Sequence, residues 1–96
     1  MSCFLVEHRH RDETCPSGNA EMVQQLAGHL DPENAARFGV QVLSDCVIEG
    51  GHTLLMVLEA QSPDKVATFA TPFLMVGSVN IRPVITCDIV AARAQD

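Results

Sequence analysis

Tryptophan and tyrosine are absent from this chain, and phenylalanine occurs only four times. The core must therefore be built from valine, leucine, isoleucine, methionine and alanine. Basic residues are scarce: six lysines and arginines stand against twelve acidic residues, for a formal net charge of −6. They do not cluster. Nucleic-acid binding depends on neutralising phosphates with such residues, so no nucleic-acid partner is expected. The same balance argues against an anionic membrane surface. The longest apolar stretches, such as residues 54–58, fall far short of the ~20 residues of a spanning helix. Residues 1–5 are too short an apolar run for a secretory leader, and charged residues follow at once. The expectation is a soluble, cytoplasmic protein. Glycine loops of phosphate-binding spacing are missing, and so is the Cys-x-x-Cys of thioredoxin-like redox proteins.

What is present is a high apolar content, 47% of 96 residues, in a chain that forms one domain over residues 1–96. Domains this small bury a modest fraction of their surface and commonly gain stability from a metal, disulfides or a partner subunit. The four cysteines, Cys3, Cys15, Cys46 and Cys87, are expected in a reducing compartment as thiols, ligands or redox groups. Cys46, flanked by Asp45 and Val47 in a β-rich run, reads as a small buried hydrophobe.

Residues 3–10 alternate as a strand, with Phe4, Val6, His8 and His10 on one face. A polar loop over residues 11–18 follows. Helical spacing of Met22, Val23, Leu26 and Leu30 predicts a first helix from about Asn19, and Asp31-Pro32-Glu33 restarts a short one that Gly39 ends. Residues 40–48 and 52–59 are two strands, joined by Glu49-Gly50-Gly51 as a hairpin. Ser62-Pro63-Asp64 opens another helix with the stripe Val66, Phe69, Ala70 and Phe73. Residues 78–90 complete the pattern as a last strand, and Pro83 marks it as an edge strand or a bulged one.

The order strand, helix, strand, strand, helix, strand predicts an α+β fold. It is a ferredoxin-like βαββαβ unit, a four-stranded antiparallel sheet with two helices on one face. Residues 54–58 are apolar on both faces, and an uncovered apolar face is unfavourable in water. A homodimer formed through the sheet face is the expected partner arrangement.

In element order, element length and the Gly-Gly hairpin, residues 3–89 resemble the dimeric α/β-barrel superfamily, ferredoxin-like domains that pair their sheets. That group includes cofactor-free monooxygenases, haem-degrading enzymes, stress proteins and small metal-binding proteins. The chain looks most like its small members with a His-x-His at the end of the first strand, here His8 and His10. The likeness is one of fold and implies no particular chemistry.

Chemistry gathers at the end of the first strand. His8 and His10 share a face, and Cys15 lies in the next loop. In the βαββαβ order the third strand begins beside them, which brings in His52, with Glu13 and Glu49 nearby. Three imidazoles and a thiolate suit zinc, copper or nickel and disfavour calcium or magnesium. The leading expectation is a homodimeric transition-metal-binding protein with His8, His10, Cys15 and His52 as ligands. The plain alternative for His8 and His10 is two surface residues at a strand end. A rival function is a cofactor-free enzyme of monooxygenase or isomerase type, whose small-molecule ligand sits between sheet and helices with a histidine as general base. A third is a structural or regulatory dimer without metal. Cys15 as a nucleophile is a minor reading, since no orienting residue or oxyanion hole is legible. His29, near a helix end, reads as a complement to the helix dipole. Cys3 and Cys87 are expected near each other, at the ends of neighbouring strands.

Overall fold

The computed structural model of the chain describes residues 1–10 and 20–94. Among them the order is β1 (Ser2–Arg9), α1 (Ala20–His29), α2 (Pro32–Arg37), β2 (Val40–Val47), β3 (Thr53–Ala60), α3 (Pro63–Leu74), β4 (Ser78–Val84) and α4 (Cys87–Ala94). The strands form one antiparallel sheet in the order β2-β3-β1-β4, as expected for two crossovers of the βαββαβ type. No helix among the described residues is long and apolar enough to cross a membrane.

Period-two alternation builds the core. Phe4, Val6 and His8 of β1 lie on the same face as Met56, Leu58 and Ala60 of β3, and all six are buried. The α3 stripe Val66, Phe69, Ala70 and Phe73 is buried too. Pro63 starts α3, where a missing amide donor costs little, and Pro72 lies inside it two residues before its end. Asp31 caps α2, its carboxylate accepting from the Glu33 amide at 3.0 Å. Gly39 follows α2 at φ 73°, a backbone conformation that favours glycine.

α1 is held mainly at its C-terminal end. His29 donates from Nε2 to the Phe69 carbonyl at 2.6 Å, and its ring stacks on Phe69. Asn34 donates to His29 Nδ1 at 3.0 Å and to the His29 carbonyl at 2.8 Å. The expected role of His29 as a dipole complement is thus replaced by a bond that ties α1 to α2 and α3. No residue of α1 is fully buried. Leu26 and Leu30 touch the core, whereas Val23 is exposed.

Two other expectations need correction. The last strand stops at Val84, and residues 87–94 are helical rather than extended; Pro83 lies on the edge strand, where no ladder donor is missed. Cys3 consequently pairs with Val84, while Cys87 starts α4. Cys46 is exposed, not buried. Between Val42 and Ser44 the register of β2 slips by one residue against β3. This bulge at Leu43 turns Cys46 to the outer face, opposite Leu55, and turns Asp45 and Val47 to the helix-covered face, opposite Met56 and Leu54.

The chain from α3 to β4 passes hard against the end of β1. A Cβ built on Gly77 would fall on the Arg9 carbonyl oxygen and come within 3.0 Å of His8 Nε2. Only glycine allows that approach. Gly77→Ala should therefore destabilise the fold by about 2–3 kcal/mol, read as a lower urea midpoint; an unchanged midpoint would mean the turn can move away freely.

A histidine-lined cavity as the candidate functional site

A gap of about 570 Å³ lies between α1 and the sheet. Val23 and Leu26 of α1, with Leu30 just after it, form one wall, and Leu54 and Val47 also line the gap. The β2–β3 turn, including Ile48, Glu49 and Gly50, borders the opening. His8 and Phe73 are the deepest residues, each 1% exposed. The volume falls within the range of small-molecule sites, which are mainly apolar with a few polar groups.

The polar groups are chiefly histidines. The ring of His8 meets Phe73 edge-on, with centroids 5.3 Å apart. His10 follows at 5.5 Å from His8, and His52 at 5.0 Å from His10. The backbone explains the last contact: the His10 amide donates to the His52 carbonyl at 3.0 Å, so β1 and β3 stay paired one residue beyond their strands. His52 Nδ1 and His10 Nε2 lie 3.3 Å apart. One of these nitrogens donates to the other, which gives the pair a path for a proton. Three imidazoles therefore run from the buried end of the cavity to its rim.

Their environments differ. Burial pushes the His8 imidazole below its ordinary value, and the neighbouring His10 pushes it the same way. The Phe73 and Val76 carbonyls approach the ring and partly oppose this, yet neither completes a hydrogen bond of normal geometry with Nε2. His8 is thus held neutral, as a proton acceptor must be before it acts.

The structure brings together only part of the expected ligand set. His10 and His52 meet at a separation that suits two ligands of one tetrahedral ion with bonds of ~2.0–2.1 Å. His8 Nε2 points instead toward Gly77. Among the described residues, no group of three histidine, cysteine or carboxylate side chains takes up metal-binding geometry. Cys15 and Glu13 lie outside the described residues. Glu49 does line the cavity, as expected, and so does Asp45. Asp45 was not legible in the sequence, because strict alternation along β2 puts it on the other face.

A family model described as a domain of unknown function, DUF3303, matches residues 3–96. The chain belongs to the DUF3303 family. No curated protein matches it. The DUF3303 match takes in every residue that lines the cavity, together with Gly77.

The neutral state of His8 has a consequence for stability. Its folded value lies below the ordinary 6.5, so the unfolded chain binds this proton more readily than the folded one. The contribution is complete above 6.5 and is lost as the pH falls toward the lowered folded value. Urea midpoints should decline across that interval, and His8→Phe should flatten the decline. An equal decline in the variant would assign it to other groups.

Proposed function

We propose that the cavity binds a small, mostly apolar organic molecule and that the histidines exchange protons with it. The observation that carries this reading is the chemistry of the lining: an apolar gap of about 570 Å³ whose polar groups include three imidazoles in contact sequence. The reaction class this serves is an isomerase-type proton transfer. One neutral imidazole takes a proton from an acidic carbon of the ligand. The resulting imidazolium, directly or through the His10–His52 bond, returns a proton to another atom of the same molecule. No oxidant or cofactor is needed, and the atoms balance.

A second reading is favoured by one distance. The 3.3 Å between His10 Nε2 and His52 Nδ1 suits a shared zinc, copper or nickel ion, with Cys15 and His8 as the further ligands expected from the sequence. The two readings share His10 and His52 but differ in what they need. The organic ligand needs the gap under α1, whereas the ion does not.

We also propose that two copies pair through their sheets, as in the dimeric α/β barrels. Leu5, Leu55 and Val57 lie on the face turned away from the helices and are only partly buried there. The Cα radius of gyration is 14.5 Å, against about 12.5 Å for a compact domain of this length, so one copy by itself is too extended. Ile85, Ile89 and Val90, in and just before α4, are exposed apolar residues as well, and α4 has no buried residue of its own. A second copy provides a surface for both.

Ala27 lines the cavity from an exposed position on α1, so Ala27→Trp should fill the gap without touching the core. A neutral aromatic probe such as naphthol should shift the NMR signals of Leu26 and Phe73 in the parent protein and not in this variant. Tetralone in heavy water should exchange its acidic protons faster with the protein present, and His10→Ala should slow that exchange roughly a hundredfold. Zinc binding that survives Ala27→Trp but not His10→Ala, with no probe binding, would instead establish the metal reading. For the dimer, light scattering should give twice the chain mass, and Val57→Lys should halve it; a parent protein of single-chain mass would refute the pairing.

A further inference from the structure

Asp45 enters the cavity for a specific structural reason. Without the bulge at Leu43, the alternation begun by Val40 and Val42 would present Ser44 and Cys46 to the helix-covered face. The extra residue turns that pattern over and delivers Asp45, opposite Met56. Bulges beside functional sites commonly re-aim one side chain in this way. Glu49 of the following turn adds a second carboxylate to the lining. Neither makes an ion pair or a side-chain hydrogen bond among the described residues. No lysine or arginine among the described residues lines the cavity. Among the described residues, the lining charges of fixed sign are the two carboxylates.

This charge pattern constrains the ligand. If a histidine removed a proton from a neutral molecule, the product would be an anion sharing the cavity with the Asp45 and Glu49 carboxylates. The carboxylates make that step harder than the same step on a cationic ligand. A ligand that already carries an ammonium group becomes a neutral zwitterion on losing that proton, and its positive end is attracted to Asp45 both before and after. We infer that the cavity takes amines, molecules with a cationic nitrogen on an apolar body, and that Asp45 is the group that pairs with the nitrogen. The apolar body lies against Leu26 and Leu54, and the imidazoles are left free to work on the adjacent carbon. This assignment rests on the small-molecule reading of the cavity.

The test compares phenylpropylamine, phenylpropanol and phenylpropanoate, which share one skeleton and differ at the head group, by NMR titration of the full chain near neutral pH. The amine should bind about fivefold or more tighter than the alcohol, and the carboxylate weakest. Asp45→Asn, at an exposed strand position, should bring amine and alcohol to similar affinity while leaving the alcohol unchanged. Equal binding of all three, tighter binding of the carboxylate, or an amine preference that survives Asp45→Asn overturns the assignment and leaves the cavity reading standing. Failure of all three to shift Leu26 or Phe73 rejects the cavity reading and this assignment with it.

Discussion

α3 is the principal helix packed on the sheet, and it does not cover all of it. Its buried stripe from Val66 to Phe73 seals β1, β3 and the near part of β4. What it leaves open is the end of the sheet where β1 finishes and β3 begins. α1 has to roof that end, yet its firm attachment is the His29–Asn34–Phe69 cluster at its C-terminal end. Leu26 packs against the core, yet α1 does not close onto the sheet, and the gap lies beneath it. The cavity is the direct result of that geometry. It is a gap left by the order of the helices rather than a hollow carved into a packed core.

Burial of His8 follows from the same arrangement. β1 is a central strand, so its inward residues have no route to solvent once Phe73 and the turn at Gly77 are in place. An imidazole there is desolvated from several sides, while His10, two residues further along the same face, already reaches the cavity rim. The gradient from a neutral, buried ring to rings near the opening comes simply from moving outward along one strand and across to its neighbour. The outer face of the same strand is treated differently. Glu7 accepts from both Arg9 and Arg82, which keeps charges on the face that also carries Leu5, Leu55 and Val57, and ion pairs with guanidinium groups this exposed add little stability.

Much of this fold was legible in the residues. Alternation marked β1 and β3, Gly50-Gly51 marked the hairpin, and Asp31-Pro32 and Ser62-Pro63 marked two helix starts within a residue. The meeting of His10 with His52 followed from topology alone, because adjacent antiparallel strands bring the end of one to the start of the other. Three features were not legible, each for a physical reason. The bulge at Leu43 leaves no signature in composition, since an extra residue in a strand looks like any other; it reversed the faces of Cys46 and Asp45. The change from strand to helix after Val84 lies in a stretch, Cys87 to Val90, whose apolar and polar residues fit either period. The gap beneath α1 depends on where that helix is fastened, and the His29–Phe69 bond that fastens it joins residues forty positions apart in the chain.

The bulge and the histidines are best understood together. Imidazoles in an apolar gap would by themselves accept either sign of ligand, since a neutral ring can donate from one nitrogen and accept at the other. Adding Asp45 removes that indifference. A carboxylate near the mouth raises the cost of any anion and lowers that of any cation, and it does so without taking up space in the apolar part of the gap. A single inserted residue in β2 thus places on the cavity lining a carboxylate that strict alternation would have turned to the other face.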